Sequence, residues 1–153
     1  MSLILLLALA AEAAPAAAAP LTITVANVRS TKGRVHVALC PKDKFLGTAC
    51  ALEASVPAQP GTITITFPAV PPGDYAAQAF QDENGNQKVD QNFIGMPKEG
   101  IGFSRDARVT FGPPKWPDAV FAHDAKPQAI RFSLRYMLGP DGPEAWAKAH
   151  PAR

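Results

Sequence analysis

The stretch QDENGNQKVDQNF, residues 81 to 93, is the part of the chain whose residue types and spacing could do chemistry. Counted from Asp82, side chains that carry oxygen fall at the first, third, fifth and ninth positions. A hard cation such as Ca²⁺ takes six to eight oxygen ligands, and a tight loop with donors on alternate residues can turn them inward. The predicted calcium ligands are Asp82, Asn84, Asn86, the backbone carbonyl of Lys88, and Asp90.

This loop differs from an EF-hand. Its twelfth position is Phe93 where an EF-hand has a bidentate Glu, and its sixth is Gln87 where an EF-hand has Gly. The loop could still bind calcium without flanking helices, with Glu99 as an additional ligand and a weak Kd of about 10⁻⁴–10⁻³ M. Asn and Asp are also common in plain turns, because they hydrogen-bond to their own backbone. A calcium site and a polar turn are therefore both open.

The two cysteines of the chain, Cys40 and Cys50, are close in sequence. In an exported protein an isolated pair is most simply a disulfide. The segment between them, PKDKFLGTA, has no His that could complete a zinc site. We therefore predict a disulfide between Cys40 and Cys50.

A hydrolase would need a nucleophile and a base, and the candidates are Ser104 with His36 or His123. Ser104 lies in GIGFSRDA, which lacks the G-x-S-x-G order of a nucleophile elbow. The blander interpretation is that Ser104 caps a turn and that His123 is a solvated loop residue. His36 is expected on the polar face of a strand.

The elements that must position these residues are strands, since the dominant hydrophobic period is two. Short alternating segments separated by Gly and Pro predict an all-β fold, an antiparallel two-sheet sandwich of about seven strands with an immunoglobulin-like or transthyretin-like Greek key. The connection 82–106 has no periodicity, and connections of that length are often functional. The predicted strands are residues 21–29, 33–40, 49–56, 61–67, 74–81, 107–112 and 128–136.

The chain begins with an apolar run followed by small residues and prolines, which is typical of a secretory signal peptide. The run is too short to span a bilayer. We predict a signal peptide at 1–20, a sandwich domain at 21–136, and a tail at 137–153 in which a short helix could form over 143–149. The protein is then periplasmic or extracellular. Its net charge of +2 is too small to favour a nucleic-acid partner.

The segments YAAQAFQDENGNQKVDQNFIGMPKEGIGFSRDA and FGPPKWPDAVF resemble a bacterial family of secreted proteins known as domain of unknown function 2141. Gln87 stands where the family often has Gly, and Gln81 where it often has His. The resemblance implies an exported, single-domain β-sandwich with a shared loop and no established activity. The positions that carry it are Asp82, Asn84, Asn86, Asp90, Gly95, Pro97, Glu99, Gly100, Gly102, Phe103, Ser104, Gly112, Pro113 and Pro114.

From these features we expect a non-enzymatic binding or envelope module whose functional surface is the loop 82–104. An envelope hydrolase is one alternative. A small-ligand carrier is another, and it would need an apolar cavity between the sheets. An envelope protein or a glycan is the expected kind of partner.

Overall fold

A computed structural model describes residues 17–110 and 112–139. Most of the predicted signal peptide, and the helix predicted at 143–149, lie outside these residues. The described residues form eight strands and one four-residue helix. The strands are β1 (Ala19–Val28), β2 (Arg34–Cys40), β3 (Leu52–Pro57), β4 (Gly61–Val70), β5 (Gly73–Asp82), β6 (Ile101–Phe103), β7 (Phe121–His123) and β8 (Gln128–Ser133), and the helix is α1 (Trp116–Ala119).

The strands build two sheets, as the alternation predicts. One sheet has the order β4-β1-β8, and the other has the order β3-β2-β5-β6 with β7 also paired to β5. The all-β sandwich is thus confirmed. One detail differs from the prediction, because β1 and β8 pair in parallel, with Ile23 opposite Ile130.

The core lies between the sheets and is made by the residues that share one face of each strand. Leu21, Ile23 and Val25 of β1 are fully buried. They meet Val37 and Leu39 of β2 in one apolar cluster. Because side chains alternate across a strand, the residues between these positions point to the opposite face. This rule places His36 and Ala38 on the outer face of the five-stranded sheet.

The predicted strand at 107–112 is wrong over its described residues, because 107–110 make no ladder. Two residues just before it, Arg105 and Asp106, have positive φ angles of 61° and 50°, and this reversal ends the extended chain. The chain instead pairs earlier, through β6, and again through β7. Both strands have only three residues, too few to show a period in the sequence.

A second, smaller apolar cluster covers part of the outer face of the five-stranded sheet. It joins Ile101 and Phe103 of β6 to Ala119 of α1, and Trp116 and Phe45 pack against it. The ring centroids of these two aromatic residues are 5.6 Å apart, in an edge-to-face arrangement. No helix among the described residues is long and apolar enough to span a bilayer.

The predicted disulfide is confirmed. Cys40 ends β2 and is bonded to Cys50, with the two Cα atoms 5.0 Å apart. The bond closes the loop that carries Phe45 over the outer face.

Candidate functional site

The loop at residues 82–90, here called the Asp82 loop, is closed by a buried carboxylate. Asp82, the last residue of β5, is only 1% exposed. Its Oδ1 accepts hydrogen bonds from the N–H groups of Gly85 (2.7 Å) and Asn86 (3.1 Å), and its Oδ2 accepts one from Gln87 (2.8 Å). The loop is therefore wound around the side chain of its first residue.

The electrostatics of Asp82 follow from these bonds. Burial raises the pKa of the carboxyl, but the N–H groups of Gln87, Gly85 and Asn86, together with the nearby His36, outweigh burial and hold the pKa below its ordinary value. The Nε2 atom of His36 lies 3.3 Å from Oδ2 but outside hydrogen-bond geometry. Asp82 thus stays ionised and accepts hydrogen bonds at neutral pH.

The other predicted ligands bond to one another and to the backbone. The amide nitrogens of Asn84 and Asn86 donate to the two carboxylate oxygens of Asp90, at 2.5 and 2.9 Å. Their amide oxygens accept the N–H groups of Asn86 and Lys88. The Lys88 side chain is exposed.

Glu99, which was predicted as an additional calcium ligand, contacts the Asp82 loop from across the connection. Its Oε1 accepts the N–H of Glu83 at 2.9 Å, and its Oε2 accepts the N–H of Asp90 at 3.2 Å. Burial raises the pKa of Glu99, and the charges of Asp90 and Asp82 add to the rise. The carboxylate therefore ties the two ends of the loop together.

The arrangement gives the calcium hypothesis no direct support. Among the described residues, no three His, Cys, Asp or Glu side chains are grouped so that they could hold a metal ion. The oxygens of Asp82 and of the Asn84 and Asn86 amides accept backbone N–H groups. The carboxylate oxygens of Asp90 accept the side-chain N–H groups of the same two Asn residues. In this structure the loop closes on its own backbone and side chains.

Three residues that the sequence analysis did not single out hold the start of the loop in place. Arg29 makes a two-pronged ion pair with Glu83, with N···O distances of 2.7 and 2.9 Å. The guanidinium of Arg29 also lies 4.4 Å from the ring centre of Tyr136. Tyr136 donates to the buried Gln81 at 2.7 Å. The only sequence signal was that Tyr136 continues the core-facing alternation of β8.

An open groove of about 1220 Å³ lies beside the Asp82 loop, on the outer face of the five-stranded sheet. Its floor includes His36 and Phe80, whose rings stack with centroids 4.9 Å apart. The Gln78 amide bonds to the backbone of Leu46 and Gly47, which holds one wall in place. We call this space the outer groove, and its remaining lining residues include Arg34, Ala38, Glu53, Val89, Ile94 and Met96.

The hydrolase candidates are not brought together by hydrogen bonds. The Ser104 hydroxyl donates to the carbonyl of Ala119 at 2.5 Å and accepts the N–H of Ala77 at 3.0 Å. Ser104 is therefore a buried link between β5 and α1 and not a turn cap. The solvated position predicted for His123 is also wrong, since His123 is 2% exposed, and neither ring nitrogen has a hydrogen-bond partner in the part of the chain that the structure describes.

The fold and the site together define the class of protein. It is a two-sheet all-β sandwich in which a loop wound around a buried carboxylate lies beside an open groove. The family model described as "Uncharacterized protein conserved in bacteria (DUF2141)" matches residues 23–131, and the chain belongs to this family. No curated protein and no solved structure matches the chain. The resemblance based on the loop and the glycine-rich element after it is confirmed.

Proposed function

We propose that this protein is an exported, non-enzymatic binding module and that the outer groove is its ligand site. The observation that carries the proposal is the groove itself, about 1220 Å³ in volume and walled on one side by the Asp82 loop and the residues after it. Ligand sites are typically concave and mostly apolar, with a few polar groups that orient the ligand. The expected functional surface, the loop 82–104, forms one wall of this site.

The lining favours a ligand with a flat apolar face and polar edges. Phe80 offers an aromatic surface on the floor, and Ile94 and Met96 offer aliphatic surface on the wall. Gln78 and Glu53 are polar groups at the floor. A sugar ring has both kinds of surface, so a glycan fits this lining.

The bonding of the polar groups supports a binding role over hydrolysis. His36 lies directly across the strand pair from Ser55, and its Nε2 is 3.3 Å from Asp82. The Ser55 hydroxyl, however, accepts a hydrogen bond from Arg34 at 2.8 Å. Among the described residues no hydrogen bond links Ser55 to His36, so the serine lacks the base that would activate it.

Export is supported by the disulfide. Bonds of this kind persist in the periplasm and outside the cell and are rare in the cytosol. Cys40 and Cys50 are the only cysteines, and both are bonded. In such a compartment, envelope proteins and glycans would be available to the outer groove as partners.

The proposal can be tested with the dye 1-anilinonaphthalene-8-sulfonate, which has a flat apolar body and one charged group. We expect saturable binding by the wild type. The substitution Ala38→Trp fills the floor of the groove and should weaken binding about tenfold, a loss of roughly 1.4 kcal/mol. Ala129→Trp, at an exposed position of β8 in the other sheet, is the matched control and should bind as the wild type does. Equal binding by all three proteins would refute the groove as the site.

Calcium binding by the Asp82 loop is a second proposal. The observation that favours it is that Glu99 accepts the N–H groups of Glu83 and Asp90 and so lies against the loop whose oxygen-bearing side chains were predicted as ligands. Binding would require the amides of Asn84 and Asn86 to turn their oxygens inward and give up their present N–H partners.

The calcium proposal predicts a higher unfolding temperature in millimolar calcium than in a chelator, because a ligand that binds only the native state stabilises it. Asp90→Asn should remove that difference. An identical unfolding temperature of the wild type with and without calcium would exclude the site.

A further inference from the structure

Residues 90–98 form a short projecting turn beyond the Asp82 loop, which we call the apolar hairpin. Its base is closed by a hydrogen bond of 2.8 Å from the Lys98 N–H to the Asp90 carbonyl, and a second of 2.9 Å joins the Asn92 N–H to the Met96 carbonyl. Gln91 and Pro97 form a bridge between these bonds. Residues 93–95 make the tip.

The tip carries two adjacent large apolar side chains in solvent. Phe93 is 98% exposed and Ile94 is 64% exposed. Phe93 does not line the outer groove. Single exposed apolar residues are ordinary, whereas adjacent exposed apolar side chains are the kind of surface that interaction sites use.

Three N–H groups at and beside the tip are hydrogen-bonded within the hairpin. The Asn92 side-chain oxygen accepts the N–H groups of Ile94 (3.1 Å) and Met96 (2.9 Å), and its carbonyl accepts the N–H of Gly95 at 3.0 Å. In hydrocarbon an unpaired N–H costs several kcal/mol, so only backbone with internal partners enters it readily. The N–H groups of three successive residues, Ile94, Gly95 and Met96, have such internal partners.

The exposed charges around the hairpin are basic. Lys88 and Lys98 are both exposed. The acidic groups nearby are turned inward: Asp82 and Glu99 are buried, and Glu83 is paired with Arg29. The half-buried Asp90 receives the amides of Asn84 and Asn86. An apolar tip above exposed lysines is complementary to an anionic lipid surface.

We infer that the apolar hairpin inserts Phe93 and Ile94 into the interface of an anionic lipid bilayer, with Lys88 and Lys98 at the level of the headgroups. From Lys98 to the tip the chain covers about 10 Å, at roughly 3.3 Å per extended residue. Peripheral elements bury their apolar side about 5–10 Å into the boundary between headgroups and acyl chains. The reach of the hairpin therefore matches the depth of that boundary. This inference goes beyond the proposed function, since it concerns membrane contact and depends on Phe93 and Lys98, which do not line the groove, as well as on Ile94 and Lys88, which do.

The test is sedimentation of the purified protein with large unilamellar vesicles, either of equimolar phosphatidylglycerol and phosphatidylcholine or of phosphatidylcholine alone. We expect the protein to sediment with the anionic vesicles, to bind the neutral ones far less, and to be released by added salt. Phe93→Ala should lower the partition coefficient about tenfold, because a large apolar side chain is lost. Lys88→Gln combined with Lys98→Gln should abolish the preference for anionic lipid.

Two matched controls and one direct readout make the test specific. Leu46→Ala removes another exposed apolar side chain, and Lys126→Gln removes an exposed lysine on a different loop. Neither should change binding. The variant Phe93→Trp adds a tryptophan at the tip of the hairpin. When vesicles are added, the fluorescence emission of this tryptophan should shift to shorter wavelength, and lipids brominated on their acyl chains should quench it.

No sedimentation of the wild type, or equal sedimentation of Phe93→Ala, would overturn the inference. Lipid-free dimerisation that depends on Phe93 would also overturn it, because a second copy would then be the occupant. Dye binding to the outer groove is measured without lipid and survives Phe93→Ala if the proposed function holds. The experiments can therefore refute one of the two proposals while the other holds.

Discussion

At the scale of single residues, the site depends on carboxylates that accept backbone N–H groups of the Asp82 loop. Asp82 accepts three backbone N–H groups, and Glu99 accepts two. The oxygen-bearing residues that the spacing picked out bond in the structure to one another and to the loop backbone. The spacing could not decide what the oxygens bind, because the same residues satisfy a cation and a turn backbone equally well.

Gln87 is strained, and its replacement by Gly should stabilise the protein. Its φ angle is 61°, in the left-handed region that costs a non-Gly residue about 1–2 kcal/mol. We expect Gln87→Gly to raise the free energy of unfolding by about 0.5–1 kcal/mol, after the entropy that Gly loses on folding. The measurement is urea unfolding. The adjacent Lys88 has no positive φ, so Lys88→Gly should instead lower the free energy of unfolding.

The ion pair between Glu83 and Arg29 should make stability depend on pH. The hydrogen bonds from Arg29 hold the pKa of Glu83 below its ordinary value of 4.5. A carboxyl with a depressed pKa contributes stability that is present above its unfolded pKa and is lost as pH falls through its folded pKa. We expect Glu83→Gln to lower the free energy of unfolding by about 1 kcal/mol near neutral pH.

That difference between Glu83→Gln and the wild type should shrink once the pH falls below 4.5, the ordinary value for this group. Unfolding curves of both proteins at several pH values give the comparison. A difference that stays constant from neutral pH down to about pH 3 would contradict the assignment.

At the scale of elements, alternation predicts the strands that form the core, and it fails where a strand is short. The period of two identified β1, β2, β4, β5 and β8, because each buries one face against the opposite sheet. It could not identify β6 or β7, which have three residues each. The parallel pairing of β1 with β8 was also hidden, since alternation says which face a residue takes but not which strand lies beside it.

The disulfide should stabilise the loop that forms a wall of the outer groove. We expect replacement of both Cys40 and Cys50 by Ala to lower the free energy of unfolding by about 2.5–3 kcal/mol, the value for closing a loop of this length in the chain-entropy model. Denaturant unfolding with and without a reductant measures it. The reductant should destabilise the wild type and leave the double variant unchanged, because the chain has no other cysteine.

At the scale of the whole molecule, the two faces of the five-stranded sheet have different roles. One face closes the core, while the other carries a small apolar cluster and the open outer groove. The sequence predicted the first face from its apolar alternation. It could not predict the groove, because the residues that line it come from strands and loops far apart in the chain and meet only after folding.

The most direct test of the outer groove as a binding site is a map of the amide shifts in a ¹H–¹⁵N correlation spectrum during titration with 1-anilinonaphthalene-8-sulfonate. The proposal predicts that the largest shifts fall on residues of the groove floor and wall, such as His36, Ala38, Phe80 and Met96. Residues on the outer face of the other sheet, such as Thr64, should not shift. Shifts centred on that other sheet, or no saturable shifts at all, would contradict the central claim.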